Sequence, residues 1–323
     1  MTKQLLEVKN LRTYFYTRWG VVKAVDGVSF SLNKGETLGL VGESGCGKSM
    51  TCLSILRLVP EPAGRIVGGE ILLEGEDLIR KSDKEMRRIR GRRISMILQD
   101  PMTSLNPVFS IGKQVTEGIK LHQGLRGRDL LNKAKQMLEL VNIPSPEMRL
   151  RAYPHQLSGG MRQRVVGAIS LSCKPDILIA DEPTTSLDTT LQAQYLRLLK
   201  DLQTELGLAM IFVTHDFGIV AHVCSKVAVM YAGRIVETAE VRELFNHPIH
   251  PYTVALMKAL PKMEEKVEIL ASIEGQPPLL HHLPPGCSFA SRCLSQNEKC
   301  KLGEFPPSSE VSAGHRVSCW LYA

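Results

Sequence analysis

Apolar positions fall into short blocks whose spacing alternates between strand and helix periods. Residues 36–42, Glu-Thr-Leu-Gly-Leu-Val-Gly, form a compact apolar run ending on glycine, which predicts a buried strand. The next apolar positions, Leu53, Ile55, Leu56 and Leu58, predict a helical stretch that stops at Pro60. Residues 64–75 carry glycines around a strand-like Glu-Ile-Leu-Leu-Glu. The middle of the chain turns helical: Ile111, Val115 and Ile119 recur every four residues. Leu130, Leu131, Ala134, Met137, Leu138 and Val141 mark a second amphipathic face, for which Asp129 is a candidate N-cap.

Strand signals return at Ile177–Ala180 and Ala209–Val213. Between them Leu191, Tyr195, Leu198, Leu199, Leu202 and Leu206 predict a helix stopped by Gly207. Val227–Tyr231, Ala-Gly and Arg234–Glu237 read as a hairpin. Strands alternating with helices predict an α/β fold on a largely parallel sheet. Past residue 240 prolines become frequent and helices shorten, so a boundary is placed near residue 243: residues 1–243 as one domain and 244–323 as a C-terminal extension.

Length and composition change this picture little. The chain has 323 residues, room for about two domain-sized units. Hydrophobic residues make up 43% and charged residues 23%, the balance of a globular chain. No apolar run reaches the roughly 18 to 20 residues of a membrane span, and the first residues hold no hydrophobic signal core. Both features argue against a secreted or integral membrane protein. The net charge of +7 is concentrated at residues 80–93, where eight basic residues face Asp83 and Glu85. Such a window can be a nucleic-acid stripe, a solvated face or a surface near anionic lipid. No aromatic-rich pattern accompanies it, so no nucleic acid is expected.

The densest chemistry is Gly42-Glu-Ser44-Gly45-Cys46-Gly47-Lys48-Ser49, the phosphate-loop pattern, placed after a strand and before a helix. Its glycines let backbone N–H groups approach phosphates, with the helix N-terminus adding partial positive charge. Lys48 can reach the β and γ phosphates, and the Ser49 hydroxyl can ligate Mg²⁺. The matching element is Ile177-Leu-Ile-Ala-Asp181-Glu182, a buried strand releasing two acids at its C-terminal end. There Asp181 would hold Mg²⁺ and Glu182 would polarise an attacking water. Together the two motifs predict an NTPase.

Leu157-Ser158-Gly159-Gly160-Met161-Arg162-Gln163-Arg164 resembles the signature sequence of ATP-binding cassette (ABC) ATPases. Three more elements follow that family in order. Gln99, in Ile-Leu-Gln-Asp-Pro, resembles the Q-loop glutamine, Ser186-Leu187-Asp188 the D-loop, and His215, in Phe-Val-Thr-His-Asp, the switch histidine. The resemblance covers roughly residues 4–240. It implies a P-loop, RecA-like ABC nucleotide-binding domain with an antiparallel β subdomain and a helical subdomain at about 100–165. It also implies that Glu182, His215 and Gln99 serve hydrolysis, and that Ser49, Gln99 and Asp181 surround Mg²⁺. ATP would be held by Gly42, Ser44–Met50 and, from a head-to-tail partner, Ser158, Gly159, Gly160 and Asp188. Phe15, with Tyr14 as the neighbouring candidate, resembles the aromatic that stacks on adenine. Met50 departs from the family, which more often has Thr or Ser there.

One cassette without a membrane span resembles a separate ATP-binding subunit that docks on two transmembrane permeases. The run Gln99-Asp-Pro-Met-Thr-Ser-Leu-Asn-Pro and the segment His247-Pro-Ile-His-Pro-Tyr252, followed by Pro261 and a Cys/Pro-rich tail, resemble the oligopeptide/dipeptide/nickel importer branch, nearest its D-type dipeptide subunits. That implies a peripheral position at the cytoplasmic face of the membrane. A second, related ATP-binding subunit and an extracytoplasmic solute-binding protein are implied as partners. Nickel import and a soluble ABC protein acting on nucleic acid are the competing functions.

Cys287, Cys293, Cys300 and Cys319 crowd the last 40 residues. Four thiolates can bind zinc or an iron–sulfur cluster, or remain free. No pair has the close spacing usual for structural zinc, and the importer resemblance implies a 4Fe-4S cluster, with zinc as the alternative. His281, His282 and His315 are expected as surface or packing residues, and a redox-regulatory role for the tail is a further function class.

Overall fold

The computed structural model describes residues 4–100, 104–185, 187–259 and 272–323. Pro101, Met102, Thr103, Ser186 and Pro261 of the sequence motifs lie outside the described residues. The chain divides into two compact units.

One unit comprises residues 4–32, 38–79 and 214–323. Strands β1 (Gln4–Thr17), β2 (Gly20–Asn33), β4 (Gly64–Leu73) and β5 (Glu76–Asp77) form an antiparallel sheet in the order β2-β1-β4-β5. A second set of strands runs β11 (Ser308–Ser312), β12 (His315–Ser318), β10 (Arg234–Glu240), β9 (Lys226–Tyr231) and β3 (Thr37–Val41). Strand β3 is parallel to β9, whereas β10 and β12 add antiparallel. All five residues of β3 are buried, as its continuous apolar run requires. The β9–β10 turn is the predicted hairpin, with Ala232 at φ 47° and Gly233 at φ 81°, both left-handed as a tight two-residue turn demands. The unit also holds helices α1 (Lys48–Ile55), α8 (Phe217–Val223), α9 (Val241–Asn246) and α10 (Pro251–Lys258), and short 3-10 turns at Ala290–Arg292 and Glu298–Lys301. One apolar core joins Val227, Val229 and Tyr231 of β9 to Tyr252, Cys287, Phe289 and Cys300, so the residues after 243 fold onto the strands before them.

The other unit holds residues 33–37 and 80–213. Its strands β6 (Ile94–Ile97), β7 (Ile177–Asp181) and β8 (Ala209–Thr214) are parallel, with β7 in the middle. The basic window forms α2 (Asp83–Ile89), closed by a Ser82–Glu85 capping box, with Arg87 and Arg88 exposed and only Met86 buried. Helices α3 (Ile111–Gln123), α4 (Gly127–Leu140) and α5 (Pro146–Arg151) follow, then α6 (Gly159–Leu171) and α7 (Thr189–Leu206). Ile111, Val115 and Ile119 are buried on one face of α3, as their spacing predicts.

Two local expectations are corrected. The N-cap of α4 is Arg126, three residues before Asp129, which sits inside the first turn where its charge complements the helix dipole. Leu131 is 55% exposed and leaves the buried face to Ala134, Met137 and Leu138.

Candidate functional site

The phosphate loop leaves the end of β3 and feeds α1. Its shape depends on glycine at two crowded positions. A Cβ on Gly42 would lie 2.2 Å from the Met230 carbonyl, and one on Gly47 would lie 2.2 Å from the Ala24 carbonyl. Both residues also have positive φ. Gly47 gives α1 no side-chain cap, the arrangement in which a bound anion can serve as the cap. Lys48 is almost wholly buried, and its Nζ donates to the carbonyls of Gly42 at 2.8 Å and Glu43 at 3.1 Å. The loop is thus wrapped around a fixed positive charge. Ser44, Gly45 and Ser49 are exposed on it, while Met50 is half-buried. Cys46 is buried within the loop, and that burial pushes its thiol up.

The loop has a second set of holders that the sequence did not indicate. Glu43 receives a two-pronged ion pair from Arg292, with Nη1 2.8 Å and Nη2 3.0 Å from its two carboxylate oxygens. The Glu43 N–H donates to the Tyr252 hydroxyl at 2.9 Å. Both partners lie more than 200 residues downstream, and no periodicity or motif links them to the loop.

Tyr14 and Phe15 are consecutive on β1, so their side chains take opposite faces. The Tyr14 hydroxyl donates to Asp26 Oδ1 at 2.6 Å, and Arg234 donates to Oδ2 of the same carboxylate. Burial, then this hydrogen bond, pushes the Tyr14 hydroxyl up to about 12. Tyr14 therefore serves a structural triad. Phe15 is half-buried with its ring edge against Gly64, just beyond the segment that follows α1. His215 is exposed between β8 and α8. Its neighbour Asp216 caps α8 through bonds from the N–H groups of Gly218 and Ile219.

In the other unit, Asp181 ends the buried strand β7 and is itself only 4% exposed. Glu182 follows with φ 43°, a left-handed backbone unusual for a residue with a side chain. Its N–H donates to the Val213 carbonyl. Its carboxylate accepts from Gln99 Nε2 at 2.9 Å and from Thr185 Oγ1 at 3.2 Å. The fold thus joins Gln99 and Glu182, 83 residues apart. A carboxylate oriented by an amide and a hydroxyl can accept a proton from water at a fixed point. Thr185 is an addition that its position in the motif did not mark.

Ser158 caps α6, accepting from the Met161 N–H at 3.3 Å, with Gly159 beside it in open space. Gly160 faces Leu191 of α7. Asp188 caps α7 by accepting from the Leu191 N–H at 2.9 Å. Ser158 and Asp188 are both exposed at helix starts.

The four tail cysteines line one small hollow with His250 and Trp320. Burial pushes the Cys287 thiol up to about 11, and the neighbouring Cys300, Cys319 and Cys293 raise it further. His250 Nδ1 accepts from the Tyr252 N–H, which leaves the proton on Nε2. That Nε2 and the Trp320 Nε1 are buried with no hydrogen-bond partner. Among the described residues, no three His, Cys, Asp or Glu side chains form a group that could hold a metal ion. His315 is fully buried, with Nε2 2.7 Å from Glu237 Oε1, and so is a packing residue. His281 and His282 are exposed, as expected.

A phosphate loop on one strand and an Asp-Glu pair ending another are the parts of a P-loop ATPase with an α/β core. The ABC transporter family matches residues 25–185, and this chain belongs to that family as an ATP-binding protein. Within it, residues 236–300 match the C-terminal region of oligopeptide/dipeptide transporters. The chain is 51% identical to the oligopeptide transport ATP-binding protein OppD of Bacillus subtilis, covering 98% of this chain and 89% of that one. It is 49% identical to the dipeptide transport ATP-binding protein DppD of the same organism, with coverages of 99% and 95%. A dimeric post-hydrolysis state of the ATP-binding cassette MJ0796, bound to ADP and Pi, superposes with a TM-score of 0.66 at 25% identity. It covers 73% of this chain and 99% of that one. No helix among the described residues is long and apolar enough to cross a membrane.

Proposed function

We propose that this chain hydrolyses ATP to drive import of dipeptides or oligopeptides across the cytoplasmic membrane. The observation that carries the reading is one continuous chain holding a formed phosphate loop and, braced against it, the C-terminal region matched to oligopeptide/dipeptide transporters. Residues 1–243 are the ATPase part and 244–323 an extension folded onto it.

Lys48 and the loop N–H groups bind the ATP phosphates, and Phe15 offers the surface for adenine. Ser49, Asp181 and Gln99 are oxygen donors suited to Mg²⁺, which when bound neutralises phosphate charge. Glu182, oriented by Gln99 and Thr185, takes the proton of the attacking water, and His215 contacts the γ-phosphate. Ser158, Gly159, Gly160 and Asp188 serve the nucleotide of a partner subunit. That partner is a second ATP-binding subunit, related or identical. The pair docks peripherally on two permeases at the cytoplasmic face, and an extracytoplasmic binding protein delivers the peptide.

We also assign Cys287, Cys293, Cys300 and Cys319 to a 4Fe-4S cluster. Their shared hollow, and the two orphaned nitrogens lining it, suit a group with its own acceptor sulfurs. Bound there, the cluster would staple a tail with few regular elements.

The direct test is ATP-driven uptake of labelled dipeptides and longer peptides into proteoliposomes rebuilt with the permeases. Uptake should require ATP and be lost, together with ATP binding, in Lys48→Ala. Uptake of nickel in place of peptide would overturn the substrate. ATP binding that survives Lys48→Ala would overturn the nucleotide site.

A further inference from the structure

Glu43 sits in the phosphate loop between Gly42 and Ser44, and its own carbonyl accepts from Lys48. Its carboxylate is a charge of the wrong sign for a loop that grips polyphosphate. The structure places a guanidinium on it from the far end of the chain. Arg292 is 4% exposed at its side chain, against 25% for Glu43, and its two Nη atoms meet the two carboxylate oxygens separately. The rest of that guanidinium is also held: Nε donates to the Glu274 carbonyl at 3.0 Å, and Nη1 reaches the Tyr231 hydroxyl at 3.3 Å. The hydrogen bonds to Glu43 hold Arg292 more firmly protonated than usual. Arg292 directly precedes Cys293 of the cysteine hollow.

We propose that Arg292 is a positioning residue for the nucleotide site. It cancels the Glu43 charge, so ATP affinity depends on the fold of the cysteine-bearing tail that delivers it. Without Arg292, Glu43 presents an unpaired carboxylate beside the phosphates, in a partly buried setting where screening is weak. Arg292 acts on ATP through the Glu43 carboxylate, beside the Tyr252 hydroxyl that holds the Glu43 N–H. The inference rests on the loop being the nucleotide site, and it holds whatever the cysteines bind.

The test compares MgATP affinity in the full chain carrying Arg292→Gln, Glu43→Gln or both. Arg292→Gln should weaken binding about tenfold. Glu43→Gln alone should change it less than about threefold, and the double variant should recover to near that level. A purely structural role for Arg292 predicts the opposite: the double variant as weak as Arg292→Gln, with a lowered melting temperature. That result, or unchanged affinity in Arg292→Gln, would overturn the inference. Arg292→Lys covers the case in which Arg292→Gln does not fold. Keeping the charge while losing the fork, it should bind MgATP within about threefold of the native chain, and a tenfold loss would equally overturn the proposal. If Lys48→Ala retains ATP binding, the nucleotide reading itself fails. If Lys48→Ala loses binding and the Arg292 series does not move, only this inference fails.

Discussion

Glu182 combines a left-handed backbone with a carboxylate held by Gln99 and Thr185. Glu182→Gln keeps the shape and both neighbours but removes the basic site. It should bind MgATP normally and lower steady-state turnover by about 100-fold or more. Phosphate-release and nucleotide-binding assays on the same preparation separate the two effects, and near-native turnover would take Glu182 out of its role. At this scale the motifs were readable because phosphate chemistry demands fixed residue types at fixed spacing. The family resemblance gives Gln99 and Glu182 to the same site, and the hydrogen bond between them is what the structure adds. Thr185 and the Tyr14–Asp26–Arg234 triad were not readable, because their pairings are set by tertiary approach and carry no local signature. Tyr14 was a candidate for adenine on the strength of being aromatic. In the structure its hydroxyl is engaged by Asp26, and its side chain takes the face of β1 opposite to Phe15.

Among the elements, short buried strands and amphipathic helices were legible, while the two 14-residue strands at the start of the chain were not. The reason for β1 lies in its pairing with β4. The register shifts between Lys9 and Arg12, and Asn10 adopts φ 47°. Such a bulge moves the apolar set to the other parity, so period-two alternation breaks midway. Opposite the bulge sits Gly69, at φ 93°, where a Cβ would lie 2.5 Å from the Asn10 carbonyl and 2.6 Å from Leu11 Cα. Gly75, at φ 92°, has nothing within 4 Å of its Cβ position. Gly75→Ala should cost only the left-handed backbone, about 1 kcal/mol. Gly69→Ala should add overpacking of roughly 1–3 kcal/mol. Urea unfolding of both variants measures the difference, and equal costs would show that the bulge accommodates a side chain. The start of α4 was misplaced for a different reason. Asp129 is a good cap by residue type, but Arg126 and Gly127 begin the helix without any side-chain cap.

For the whole molecule, the change of texture near residue 243 was visible in the sequence, but the packing across it was not. Strand β12 adds to β10, and Tyr252, Phe289, Cys287 and Cys300 enter the core of β9. The Lys23 N–H of β2 also donates to the Leu280 carbonyl at 3.0 Å. These links are backbone bonds and apolar contacts between segments distant in the chain, which no linear pattern reveals. The tail's chemistry is open to direct analysis. Protein purified without oxygen should carry about four iron and four acid-labile sulfide per chain. Zinc, or no metal, would remove the cluster while leaving the ATPase reading intact.

The addition of β12 to β10 has a consequence for shortening this protein. With residues 244–323 removed, the outer backbone of β10 around Glu237 and Thr238 becomes a bare sheet margin, next to apolar side chains such as Tyr231 that lose their cover. An exposed margin of that kind templates strand addition between molecules. A chain ending at residue 243 should therefore precipitate or form higher oligomers, seen as light scattering, instead of yielding a minimal ATPase. A soluble, monomeric, ATP-binding fragment would show that the tail can be dispensed with as a sheath for the sheet.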